Sequence, residues 1–207
     1  MKLIAHRGKT SSGATENTIN ALIQALDNPK IHGVEFDIRE TKDGEFVLMH
    51  DSFINRTTKG SGQIKKMSLE ELLKYDITKL EDVLKIETDK LLLIELKDVD
   101  MNVEKFVNLL NKYNRNIYVD SFYNSLMHDV LSYKHNFKVG ILNYIFNSEK
   151  SYSEYDFICL LRSNVTDDVI KYFDEKKIEI FLYGLLKKAV QVESENLLNN
   201  CYDIIDV

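Results

Sequence analysis

The chain has 207 residues, 44% hydrophobic and 29% charged, which supports a packed core and excludes a disordered or fibrous chain. Lys and Arg number 27 against 33 Asp and Glu, a formal net charge of −6, so no basic face for nucleic acid is expected. One proline and eight glycines leave little linker material, and residues 1–207 read as one domain.

In chain order, short β-branched or apolar runs alternate with segments of helical period. Lys2 to His6 reads as a strand and Thr18 to Asp27 as a helix. Val34 to Ile38 is the second strand. Its continuation to Thr41 and the run Glu45 to His50 form a hairpin around the turn signal Asp43-Gly44. If Asp43 and Gly44 are the two central turn residues, Lys42 opposes Glu45, Asp37 opposes His50, and Glu35 shares their face. After a stretch of about Ser52 to Lys90, strands follow at Leu91 to Leu96, Ile117 to Asp120, Lys138 to Leu142, Phe157 to Leu160, Ile178 to Leu182 and Asp203 to Asp206. Helices are expected at Val103 to Tyr113, Ser125 to Tyr133, Asp167 to Lys176 and Leu185 to Leu198. In the first of these Val103, Phe106, Val107 and Leu110 keep helical spacing.

Eight strands with helical crossovers predict a compact α/β (β/α)8 TIM barrel with a β-hairpin and small insertion after strand 2, and no helix after the last strand. An open doubly wound sheet is the alternative. A second copy covering the side without a last helix, as a homodimer, is a further expectation. His6 and Arg7 arrive before any apolar run long enough for a signal peptide, and runs such as Leu91 to Ile94 are too short to span a bilayer. A cytoplasmic chain without a transmembrane segment is therefore expected. Cys159 and Cys201 lack metal or redox spacing and read as core residues. His32, His128 and His135 have no motif around them and read as structural.

Chemistry-bearing residues gather at predicted strand ends, where such barrels place their reactive groups. They are His6-Arg7-Gly8, Glu35-Phe36-Asp37, His50-Asp51 and Glu95-Leu96-Lys97. Together with Glu16-Asn17-Thr18 and Thr41-Lys42-Asp43-Gly44 they make six motifs that in order and spacing resemble the glycerophosphodiester phosphodiesterase family. Asn55-Arg56-Thr57-Thr58 and Asp120-Ser121-Phe122 are similar to two further family segments.

The resemblance implies a (β/α)8 barrel with an insertion after the hairpin at about 52–90. It implies Glu35, Asp37 and Glu95 as ligands of one divalent metal ion, and hard carboxylate oxygens suit Mg²⁺ or Ca²⁺. It implies His6 and His50 as the catalytic pair, assigned as base and acid respectively. Arg7 and Lys97 match the phosphate-contacting cations. Asp51 is expected to orient Arg7 or His50. Glu16 and Asn17 either serve the site or cap the first helix.

The implied reaction cleaves a small-molecule glycerophosphodiester to glycerol 3-phosphate and an alcohol. A lyase-type phosphodiesterase releasing a cyclic phosphate, or a catalytically silent phosphate-binding homologue, are the alternatives. The resemblance thins at Phe181-Leu182-Tyr183-Gly184 and at Cys201 to Asp206, where the family's Trp and Asn are lost. The alcohol specificity therefore stays open.

Overall fold

In the computed structural model, which describes residues 1–184 and 195–207, the strands close on themselves. They are β1 (Lys2–His6), β2 (Gly33–Glu40), β3 (Phe46–Leu48), β4 (Leu91–Leu96), β5 (Ile117–Asp120), β6 (Lys138–Asn143), β7 (Phe157–Leu161), β8 (Glu179–Tyr183) and β9 (Tyr202–Ile205). All but β3 pair in parallel, and β1 bonds to both β2 and β9, so eight strands form the expected barrel and the open sheet is excluded. The strand β3 runs antiparallel on β2 as the arm of the hairpin.

The helices are α1 (Ile19–Leu26), α2 (Leu69–Leu73), α3 (Leu80–Leu84), α4 (Val103–Leu110), α5 (Asn124–Ser132) and α6 (Asp167–Glu175). Side-chain oxygens of Thr18, Ser68, Asn102 and Thr166 accept backbone N–H groups that the first turns of α1, α2, α4 and α6 would otherwise leave unpaired. The capping of α1 thus falls to Thr18, leaving Glu16 and Asn17 available to the site. The expected helix at Leu185 to Leu198 lies mostly outside the described residues, and Glu195–Asn200 form a short 3-10 helix. The helices α2 and α3 have five residues each, too short for a periodicity to stand out in sequence.

Strand alternation divides the core into two layers. On β4, Leu92 and Ile94 join the cluster under the helices, with Phe106 and Val107 of α4, whereas Leu91 and Leu93 pack inside the barrel against Tyr118, Phe157 and Phe181. Both layers are apolar, which is why the strands read as continuous hydrophobic runs. Cys159 and Cys201 are both buried, as expected. His32 accepts from the Leu3 amide at 3.1 Å, a structural role. Among the described residues no helix is long and apolar enough to cross a membrane.

The hairpin departs from the two-residue turn. Thr41 and Glu45 are bonded through the Thr41 amide and the Glu45 carbonyl at 2.8 Å, and the Gly44 amide donates to the Thr41 carbonyl at 3.0 Å. Lys42, Asp43 and Gly44 make a three-residue loop in which Gly44, at φ 73°, takes the left-handed position such a loop requires. The extra residue shifts the register by one, so Ile38 faces Leu48, and Asp37 is bonded to Met49 instead of His50.

Candidate active site

Glu35 and Asp37 leave β2 on its inner face, and Glu95 leaves the neighbouring β4 in register with Asp37. All three are buried, and one carboxylate oxygen from each lies within 4.8 Å of the others. Such crowding is costly without positive charge nearby. Burial, Asp37 and Glu95 together push the Glu35 carboxyl well above its ordinary value. Glu95 is raised by burial, with Lys97 opposing. Burial also acts to raise Asp37, but Lys97, Arg7 and an Asn17 hydrogen bond outweigh it and hold this carboxyl below the usual range.

Two cations answer the three acids. Lys97 Nζ lies 3.0 Å from Asp37 Oδ1 and also contacts Glu95 Oε1. Arg7 places Nε 3.1 Å from Asp37 Oδ2 and Nη1 2.9 Å from Glu16 Oε1, while its backbone amide donates to Glu35 Oε2 at 3.1 Å. That amide points inward because Arg7 and Gly8 both take positive φ, 53° and 85°. A Cβ on Gly8 would come within 2.6 Å of the Ala21 backbone, so the tight exit from β1 requires glycine there. Asn17, itself at φ 55°, donates from Nδ2 to Asp37 Oδ2 at 2.8 Å and accepts the Asp37 amide at Oδ1.

The two histidines flank the acids, each held by a carboxylate at Nδ1. His6 Nδ1 lies 2.8 Å from Asp206 Oδ1, and its Nε2 lies 3.9 Å from Glu35 Oε2. His50 Nδ1 lies 2.7 Å from Asp51 Oδ1. A carboxylate oxygen accepts, so in both rings Nδ1 is the donor to the carboxylate and Nε2 is left for proton transfer. His50 reaches the site although it is not paired with Asp37. It lies past the end of β3, where Arg39 donates from Nε and Nη2 to its carbonyl at 3.0 and 2.7 Å. Arg39 in turn pairs with Asp98.

The expectation for Asp51 resolves in favour of His50. Its other partner is Arg56, which donates to both Asp51 oxygens and both Glu16 oxygens, tying the hairpin exit to the loop before α1. These bonds, Arg56 first and His50 next, draw Asp51 far below the usual carboxylate range. Arg56 stood in a recognised segment without an assigned role. Arg39 carried no motif signal, its cue being position near a strand end, and Asp206 closed the stretch where the resemblance thins, without an assigned role. Asp120, opposite Glu95 on β5, is 1% exposed, and neither of its carboxylate oxygens has a hydrogen-bond partner. Burial and Glu95 push it well above its ordinary value.

The fold and site together define a parallel (β/α)8 barrel carrying a buried carboxylate cluster of metal-ligand spacing between two carboxylate-held histidines. The model of the glycerophosphoryl diester phosphodiesterase family matches residues 6–183. A glycerophosphodiester phosphodiesterase of Caldanaerobacter subterraneus is 32% identical over 161 residues, covering 68% of this chain and 65% of the relative. Glycerophosphodiester phosphodiesterase 1 of Homo sapiens is 48% identical over 73 residues, 35% of this chain and 22% of that protein. The match thus spans less than two thirds of these relatives' length.

Among solved structures, an Oleispira antarctica phosphodiesterase in complex with the product sn-glycerol-3-phosphate matches with a TM-score of 0.80. The match covers 100% of this chain and 92% of that one at 20% identity. A glycerophosphodiester phosphodiesterase of Thermotoga maritima matches at 0.74, covering 98% and 92% at 23% identity. At these identities the likeness speaks for the fold. The family model and the sequence relatives carry the assignment: this chain belongs to the glycerophosphoryl diester phosphodiesterase family.

Proposed function

We propose that the chain is a metal-dependent glycerophosphodiester phosphodiesterase, hydrolysing a small diester to glycerol 3-phosphate and an alcohol by histidine acid-base catalysis. The observation that carries this reading is the convergence of Glu35, Asp37 and Glu95 with two histidines whose Nδ1 atoms are both held by carboxylates.

The donor set fits a hard divalent cation, Mg²⁺ or Ca²⁺. It is all oxygen, buried, and gathered within 4.8 Å. When bound by Glu35, Asp37 and Glu95, such a cation would polarise a phosphoryl oxygen and offset the charge that builds on it.

The chain's own residues divide the remaining work. Arg7 and Lys97, beside Asp37, supply donors to the phosphate oxygens and keep the anionic diester beside three acids. His6 Nε2 takes the proton from the attacking water as its oxygen bonds to phosphorus. His50, protonated at Nε2, gives that proton to the alkoxide as the ester P–O bond breaks. Asp206 and Asp51 hold the two rings in orientation. Glu16 and Arg56 fix Arg7 and Asp51 relative to one another.

Turnover of glycerophosphocholine, glycerophosphoethanolamine and glycerophosphoglycerol by the wild-type chain, His6→Ala and His50→Ala tests the reading. Each variant is expected to lose about 10²–10⁴-fold in kcat, the usual worth of one general acid or base. Wild-type rates in either variant overturn the catalytic assignment.

A further inference from the structure

Beside the site lies a cavity of about 480 Å³ that the reaction scheme leaves unused. Pockets for small molecules run to about 300–1,000 Å³, so its size suits one. It shares a wall with the site: Glu16 pairs with Arg7, Asn17 bonds Asp37, and Arg56 bonds Asp51, which holds His50. The cavity therefore borders the site at the hairpin exit, where His50 stands. In the scheme above His50 serves the leaving alcohol, so the part of the substrate nearest this cavity is the far end of that alcohol.

The other charges of the lining are mostly positive. Lys59 and Lys74 are exposed, and neither forms an ion pair among the described residues. Glu16 has both oxygens bonded by Arg56 and one of them by Arg7 as well, which leaves Asp76 against the two lysines. Both lysines stand on tied backbone. The Thr58 hydroxyl donates to the Ile54 carbonyl at 2.8 Å and accepts the Gly60 amide at 3.0 Å, fixing the turn that carries Lys59. Lys74 ends α2, and the next two amides, of Tyr75 and Asp76, bond back to the Leu72 and Leu73 carbonyls at 3.0 and 3.2 Å. A Cβ on Gly60 would come within 2.5 Å of the Tyr75 ring, so glycine there lets the two lysine-bearing segments close on one another. Two ammonium groups without counter-charges attract an anion, repel a cationic headgroup and gain little from a neutral polyol.

We propose that this cavity receives the far end of the substrate's alcohol, and that the preferred diester is one whose alcohol carries a second phosphate, held by Lys59 and Lys74. This rests on the diesterase reading above and supplies the alcohol specificity that the motifs left open.

The test compares kcat/KM of the full chain, with Mg²⁺ or Ca²⁺, for glycerophosphoinositol 4-phosphate and for glycerophosphoinositol, the same alcohol with and without a second phosphate. The ratio is expected at about 10-fold in favour of the phosphorylated ester, the worth of one hydrogen bond to a charged group. It should fall toward one in the Lys59→Met, Lys74→Met double variant and shrink with added salt. The ratio is taken within each variant, so a general loss of activity does not enter it. A second readout needs no turnover: inositol 4-phosphate, but not inositol, is expected to shift the amide NMR signals of Thr57, Thr58 and Tyr75, and the double variant to lose the shift. Equal kcat/KM for the two esters with no shift overturns the phosphate site and leaves the diesterase reading standing. A shift with equal kcat/KM makes the cavity a site for free anions and overturns its part in substrate choice. A shift without turnover of any diester supports the phosphate site and overturns the diesterase reading. Neither shift nor turnover overturns both.

Discussion

His6 Nδ1 stands 2.8 Å from Oδ1 of Asp206, the residue just past β9, so the first and last strands of the barrel meet in one hydrogen bond at the site. The bond holds the imidazole with Nε2 toward Glu35. Asp206→Asn is expected to lower kcat by about 10–100-fold, the usual cost of losing a carboxylate that orients a working histidine. The fold should be unchanged, since the Asp206 side chain is 69% exposed. Steady-state kinetics beside a thermal melt reads both quantities. Wild-type kcat in the variant would remove Asp206 from the mechanism.

Binding of the cation should depend on pH in a definite direction. Burial raises Glu35, helped by Asp37 and Glu95, and burial raises Glu95 against the pull of Lys97. Protons held on these groups must leave before a cation takes their oxygens. Apparent affinity for Ca²⁺ or Mg²⁺ therefore climbs as pH rises, by up to about tenfold per unit for each proton displaced, and levels off above both values. Isothermal titration across acid to neutral pH measures the slope, and an affinity that falls as pH rises contradicts it.

Glu35→Gln is expected to abolish both cation binding and turnover, whereas His50→Ala lowers kcat by about 10²–10⁴-fold and leaves cation binding intact. The difference follows from position: Glu35 belongs to the buried cluster, and His50 is held from outside it by Asp51 and Arg39. Calorimetry with each variant separates the two. Loss of cation binding in His50→Ala would place the imidazole among the ligands.

Glu35 and Asp37 could be placed together from the sequence because strand alternation fixes their face, whereas Glu95 joined them through the family resemblance. The hairpin register could not, since a three-residue loop and a two-residue turn share the same Asp-Gly signal and differ by one residue in every pairing beyond it. His50 is held by Arg39 through its carbonyl, a contact across the hairpin that the strand pattern does not announce. Asp206 and Arg56 act through tertiary contacts as well, the first across 200 positions of chain and the second across 40. The barrel itself was legible because its strands are apolar on both faces, while α2 and α3 were hidden by their brevity.

A buried ion pair outside the site gives a separate test of the fold. Arg162, 2% exposed, pairs with Asp203 of β9 and donates to the Ile204 carbonyl at 3.4 Å. Asp203→Asn leaves the guanidinium without its counter-charge and should cost about 3–5 kcal/mol, whereas Arg162→Met with Asp203→Leu should recover most of that. Urea denaturation measures both, and a single variant as stable as wild type would show the pair to be dispensable.

The central claim is metal-dependent hydrolysis of a glycerophosphodiester, and phosphorus NMR of the wild-type chain with glycerophosphocholine tests it most directly, with Mg²⁺ or Ca²⁺ and again with chelator. The predicted result is conversion of the diester signal to that of glycerol 3-phosphate with either cation, and none under chelation. A cyclic phosphate as the final product would contradict hydrolysis, turnover under chelation would contradict the metal's part, and an unchanged diester under every condition would contradict the account as a whole.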